Sequence, residues 1–217
     1  MKVLRNALPC FIAACLFTAL PVVADPASPP PADAASSPRA LIDKLVADVL
    51  TILRDPKTSK DDRRQKIQQI AYDNMDFDTL CRLTLGRHWR EMSDQQKKDF
   101  SEEYKKHLTS TYGHTADDYT DEDVKVIGDR TESNGDVTIT TSIIGSENGG
   151  PRKEVAKVDY RLRNRSGAGG AWKIIDFNID GVSLVTNFRS QFQEIIANGG
   201  IDHLIKLLHD KNAGAAK

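Results

Sequence analysis

The stretch "DFNIDGVSLVTNFRSQF", Asp176 to Phe192, carries the residue types of a hydrolase. Gly181, Val182 and Ser183 are the first three letters of a G-x-S-x-G nucleophile elbow. Asp176 and Asp180 lie upstream, and His203 and His209 follow. An elbow needs a second glycine, and Val185 stands in its place. It also needs a sharp strand-to-helix turn inside a βα sheet, whereas the strand pattern upstream reads as antiparallel. A strand followed by Gly and Ser is explained more simply as a chain break and a helix N-cap. The Ser183 hydroxyl would then accept the backbone N–H near Thr186.

Metal chemistry has no better footing. His88, His107, His114, His203 and His209 form no H-E-x-x-H and no i, i+4 pair. The acidic run "DDYTDED", Asp117 to Asp123, lacks the central glycine and final glutamate of a calcium loop and reads as a solvated turn. No glycine-rich phosphate loop occurs. No catalytic residue and no metal ligand is therefore assigned, and the chain is not expected to be an enzyme.

Bulk composition narrows the classes further. The 217 residues are 39% hydrophobic and 28% charged, with a formal net charge of -1. A nucleic-acid binder held by phosphate contacts would carry a basic excess. Lys2 and Arg5 precede the apolar run "ALPCFIAACLFTALPVVA", and Val22 and Ala24 suit the -3 and -1 positions of a cleavage site. Residues 1–24 thus read as a secretory signal peptide. A lipoprotein cut at Cys15 would leave "LFTALPVVA" dangling, and Pro9 and Pro21 interrupt any membrane span. Cleavage removes two of the 30 basic residues and none of the 31 acidic ones, leaving a net charge of -3. Cys10 and Cys15 leave too, so Cys81 is alone, and a buried inert thiol fits its apolar surroundings. Residues 25–38, "DPASPPPADAASSP", are too poor in bulky apolar groups to order themselves.

The folded part, residues 39–217, is helical to 119, a sheet over 120–182 and helical again over 183–213. Ser37 with Pro38 opens a helix with a wide apolar face from Leu41 to Leu53, stopped by Pro56. Ser59 opens a more polar helix carrying Ile67 and Ile70. Asp76-Phe77-Asp78 starts a short one ended by Gly86, and Ser93 to Gln96 is a capping box. Beyond Thr120 the period changes to 2. "DVTITTSII" and "VAKVDYRLRNR" alternate apolar and polar residues, and "AWKIIDFNI" follows a Gly-rich turn. The architecture is α+β: an antiparallel sheet of about four strands wrapped by amphipathic helices. Its interior is either filled or hollow, and composition alone leaves both open.

The segment "FDTLCRLTLGRHWREMSDQQKKDFSEEYKKHLTSTYGHTADDY", Phe77 to Tyr119, closely resembles a signature of the toluene-tolerance family. These are the MlaC-like periplasmic phospholipid-binding proteins of the Mla lipid-transport pathway in Gram-negative bacteria. A second match joins Trp172 and Asp176 to Gly181-Val182-Ser183-Leu184, Asn187, Phe188, Arg189, Gln191 and Phe192, and "IDHLIKLL" also fits. The resemblance spans nearly all of residues 40–210. It implies an NTF2-like element with an apolar cavity that takes the acyl chains of a phospholipid cargo, and no other cofactor. It implies a monomeric periplasmic carrier between outer and inner membranes, maintaining outer-membrane lipid asymmetry. The implied partners are an outer-membrane lipoprotein–porin complex and an inner-membrane ABC transporter with a lipid-binding ring subunit.

The inward stripes then nominate the slot: Tyr104, Leu108, Val137, Ile139, Val158, Tyr160, Trp172, Ile174, Val185 and Phe188. Ordinary core packing would give each the same pattern. Trp89 and Tyr112 suit either a cavity mouth or a half-buried core. Arg90 and Arg189 suit either a phosphate or ion pairs with Asp76, Asp78 or Asp176. Two rival functions remain: a carrier of another lipid such as a hopanoid, or an NTF2-like enzyme with a buried carboxylate base. Asp159 alternates outward, while Asp176, in phase with Trp172 and Ile174, would point inward.

Overall fold

A computed structural model describes residues 37–113, 121–146, 150–165 and 171–215. The leader and all but the last two residues of the Pro/Ala-rich segment lie outside them. Each early helix starts at a polar cap. Ser37 accepts the Ala40 N–H at 3.1 Å and opens α1, Pro38–Arg54. Ser59 accepts the Asp62 N–H at 3.1 Å and opens α2, Lys60–Asn74. Asp76 accepts the Thr79 N–H at 3.0 Å and opens α3, Phe77–Leu85, which Gly86 closes at φ 56°. That positive φ suits glycine alone. A short α4, Arg87–Glu91, follows directly. In the capping box before α5, Asp94–Gly113, the Gln96 N–H reaches Ser93 at 3.2 Å and the Gln96 side chain accepts the Ser93 N–H at 3.0 Å.

The sheet is an antiparallel meander in the order β1 (Asp123–Thr131), β2 (Val137–Gly145), β3 (Lys153–Asn164), β4 (Trp172–Ile179) and a two-residue β5 (Val182–Ser183). Register shifts leave Ile127, Val155 and Ile175 each as an extra residue against its partner strand. Such bulges bend and twist strands, and three of them curl this sheet. Cross-strand partners share a face: Ile139 pairs Tyr160, which pairs Phe177, and Val137 pairs Leu162, which pairs Ile174. α6, Leu184–Ala215, closes the chain and breaks at Gly200, where φ is 80°. The break divides it into two helical segments.

Apolar side chains gather in two clusters. The larger joins α3, α5 and α6 through Leu80, Phe100, Tyr104, Phe188, Phe192 and Leu204. Its rings interlock, with Tyr104 at 5.2 Å from Phe100 and from Phe192 and 5.3 Å from Phe188. The smaller joins Ile42 of α1 to Ile139, Leu162 and Ile174 on the sheet.

Candidate functional site

Between α1, α2 and the curled sheet lies a cavity of about 550 Å³. One wall is α1, which presents Leu45, Val46, Val49, Leu50 and Leu53 at helical spacing. α2 adds Ile67, Ile70 and Ala71, and the sheet adds Val124, Ile143, Tyr160, Ile174 and Phe177. Tyr112, Asn74 and Glu122 bring the remaining polar atoms besides the Tyr160 hydroxyl. The Asn74 amide is occupied by Ile70 O at 2.8 Å. Tyr160 meets the Phe177 ring edge-on at 5.5 Å, and burial raises its hydroxyl pKa.

The burial pattern explains why this space is hollow. Of α1 only Ile42 is buried, and α2 buries no residue at all. Leu41, Leu45 and Val46 pack against the Ile42 cluster, and the rest of the two apolar stripes meets the cavity, whereas the stripes of α5 and α6 meet each other. Polar ties at the periphery hold the two helices instead. Arg54 reaches Asp123 at 2.5 Å and Glu122 O at 3.2 Å. Arg152 joins Asp121 at 2.7 Å and Asp123 at 3.0 Å beside it. Gln68 and Tyr72 of α2 bond Thr109 of α5 at 3.2 and 3.3 Å, with the Lys105 ammonium 3.6 Å over the Tyr72 ring.

The structure sorts the residues nominated from sequence into distinct places. Tyr160 and Ile174 line the cavity, and Tyr112 stands at its edge, 39% exposed. Ile139 is fully buried beneath it, with Val137 and Trp172 packed against that floor. Val158 is buried on the same sheet face, paired with Thr141 and Ile179, away from the lining. Tyr104, Leu108, Val185 and Phe188 belong to the filled helical core and do not line the cavity. Their stripes found apolar partners, so no space remained. Trp89 packs edge-on against Phe100 at 6.5 Å in that same core. Arg90 is exposed and makes no ion pair among the described residues. Arg189 donates to Leu83 O at the end of α3, while Asp78 pairs with Arg82 at 2.8 Å and Asp76 with Arg165 at 3.3 Å.

Asp176 departs from its sequence phase. The extra residue Ile175 shifts the register, so Asp176 pairs with Arg161 on the face opposite Ile174 and the cavity. There it accepts the Ser183 hydroxyl at 2.7 Å and the Val185 N–H at 3.1 Å. Ser183 in turn accepts the Thr186 N–H at 3.1 Å, as an N-cap does. Among the described residues no group of three or more His, Cys, Asp or Glu could hold a metal ion.

The α1 and α2 residues that line this cavity were not among those nominated from sequence. The signal was present: eight large aliphatic residues between Leu41 and Leu53 exceed what the single buried position, Ile42, uses.

Fold and cavity together define an α+β domain that keeps an apolar chamber between a helical hairpin and a curled antiparallel sheet. The chain belongs to the MlaC protein family, whose model matches residues 43–210. It is similar in structure to the phospholipid-binding protein from Ralstonia solanacearum, solved in complex with a phospholipid. The TM-score is 0.68 at 27% sequence identity, over 82% of this chain and 98% of that one. No curated relative matches the chain.

Proposed function

We propose that this protein is a periplasmic phospholipid carrier without catalytic activity, holding acyl chains in the α1–α2–sheet cavity. The observation that carries this reading is the incompletely buried apolar stripe of α1 and α2 facing a chamber of about 550 Å³. Family membership supports it, as does the phospholipid bound by the Ralstonia protein. Each methylene withdrawn from water is worth ~0.8 kcal/mol, so a lipid with ~30 of them has a gross transfer term of roughly 24 kcal/mol. Unaided crossing of water is negligible on that scale, and a dry chamber removes the barrier. The carrier collects and delivers its lipid at an outer-membrane lipoprotein–porin complex and at an inner-membrane ABC transporter with a lipid-binding ring subunit. The transporter supplies the driving force.

The test is native mass spectrometry and lipid extraction of the protein exported to a bacterial periplasm with its own leader. One two-chain phospholipid per chain is expected. An empty protein under conditions that retain bound lipid sinks the reading, and a polycyclic lipid in its place replaces the cargo.

A further inference from the structure

The apolar cavity is sealed at one end and open at the other. Ile42, at the start of α1, is buried with Ile139, Leu162 and Ile174, and Met75, just past α2, packs on them. Leu53 in the last turn of α1, Glu122 and the exposed Tyr112 border the opposite end. α2 runs from that mouth to the floor. Its lining residues Ile67, Ile70, Ala71 and Asn74 share one face. The same face continues outward as Arg63, one turn before Ile67, and as Lys60 beyond it. The stripe thus changes from aliphatic to cationic at the mouth.

Depth and charge both single out Arg63. At the rise of an α-helix it stands about 18 Å along α2 from Met75. Half the hydrocarbon thickness of a bilayer, the depth of one leaflet's tails, is about 15 Å. A lipid whose chain ends touch the floor therefore carries its phosphate to the level of Arg63. The guanidinium there has donors to spare. Nη2 reaches Asp55 O at 3.4 Å, longer than an ordinary N–H···O bond. Nε is enclosed and unpartnered, while Nη1, also without a partner, keeps surface open to solvent. The carboxylates around the mouth are engaged elsewhere. Arg54 and Arg152 hold Asp121 and Asp123. Asp55 takes the Lys57 N–H at 2.9 Å and the Thr58 hydroxyl at 2.6 Å. Asp61 pairs with Arg64, and Asp62 with Ser59. Glu122, the one carboxylate among the described lining residues, lies on the sheet side of the mouth against Gly145. Arg90 and Arg189 do not line the cavity.

We propose that Arg63 is the phosphate contact of the bound lipid, its terminal nitrogens donating to the phosphodiester oxygens while the tails occupy the cavity. A guanidinium fork suits two phosphate oxygens, and bonds between charged partners are stronger than neutral ones. Lys60, exposed one turn further out, adds a second positive charge on the same face. The proposal rests on the carrier reading and adds selectivity to it: two-chain lipids that bear a phosphate are held in preference to uncharged lipids with the same tails.

The experiment offers the delipidated mature chain vesicles holding equal amounts of dioleoyl phosphatidylethanolamine and dioleoylglycerol, and counts the bound lipids by extraction and mass spectrometry. The two lipids share their tails and neither carries net charge, so long-range attraction does not decide between them. The parent is expected to favour the phospholipid. Arg63→Met, which keeps an apolar stem, is expected to lose at least about tenfold of that preference while still taking up dioleoylglycerol. Its melting temperature is expected within about 3 °C of the parent's, since one long hydrogen bond is all it loses. Arg63→Lys keeps the charge without the fork, and its preference is expected to fall between the two. A parent without preference, or a preference unchanged in both variants, overturns the proposal and leaves the carrier reading standing. Displacement of the phospholipid by excess inorganic phosphate would make Arg63 a free-anion site and overturns it as well. A parent that takes up neither lipid removes the carrier reading, and this contact with it.

Discussion

Ser183 donates its hydroxyl hydrogen to Asp176 at 2.7 Å and, with the same oxygen, accepts the Thr186 N–H at 3.1 Å. The second carboxylate oxygen takes the Val185 N–H at 3.1 Å. Two unpaired donors of the first turn of α6 are thereby satisfied by one coupled pair, with the negative charge at the positive end of the helix dipole. His209, the distant histidine of the apparent triad, faces Glu103 at 3.4 Å instead. The grouping that looks catalytic in sequence is a two-residue helix cap.

Removal of this cap has a measurable signature. Asp176→Ala strips a buried acceptor from two donors and is expected to cost about 2 kcal/mol in urea unfolding. Ser183→Ala is expected to cost about 1 kcal/mol. Because the serine works through the aspartate, the double variant loses less than the sum. Strict additivity would mean that the two residues cap independently. Lipid content is expected to be unchanged in all three, since neither residue lines the cavity.

Helix starts were legible because a cap is local. Ser37, Ser59, Asp76 and Ser93 each announce a helix within four residues, and each caps one in the structure. The strands from Val137 onward were legible for the same reason, since alternation needs no partner. The orientation of Asp176 was not legible. It depends on Ile175 bulging out of register with β3, a decision made between strands far apart in sequence. The lining was only half legible. Phe188 and Leu50 carry the same apolar signal, yet α6 finds α5 and fills the space between them, while α1 meets open volume. Whether a stripe is answered by a neighbour is a tertiary property.

That distinction separates two substitutions of similar chemistry. Ile139 is fully buried among Ile42, Leu162 and Ile174, so Ile139→Lys places a charge where nothing can solvate it. Loss of the folded state, by more than about 4 kcal/mol, is expected by circular dichroism. Leu50 is half-buried on the cavity wall, where a longer polar side chain has room to turn toward water. Leu50→Glu is therefore expected to stay folded and to lose co-purified lipid. A folded, lipid-loaded Leu50→Glu variant would remove α1 from the binding wall.

Acid destabilises this fold through two buried carboxylates. Burial pushes the Glu103 carboxyl up, but donors from Asn212 at 2.7 Å and Lys106 at 2.9 Å, with His209 nearby, more than offset it and hold the pKa below its ordinary value. Burial likewise opposes ionisation of Asp136, and the two bonds from Arg163, together with Asn134, depress its pKa. With folded values below unfolded ones, protons bind the unfolded chain better. The stabilisation is complete above the ordinary carboxylate range near pH 4 and is lost as pH falls through the depressed values. Urea midpoints are expected to drop as pH falls below about 4. Glu103→Gln should flatten part of that slope, and an unchanged slope would move the acid sensitivity elsewhere.

Cys81 reports on the other half of the molecule. It is fully buried in the α3–α5–α6 core, and burial pushes its thiol pKa up to about 12. Only the thiolate attacks a disulfide reagent, so the native protein is expected to be inert to one at neutral pH. Labelling then requires opening, and under fast reclosing its rate gives the free energy of that opening. A packed core predicts that this free energy equals the one from urea unfolding. It also predicts that Leu50→Glu, which alters only the cavity wall, leaves the labelling rate unchanged once corrected for global stability. Labelling much faster than global unfolding permits would instead mean that α6 lifts from α5 on its own. The helical core would then be a second moving part of the molecule, rather than the rigid frame against which the cavity stays open.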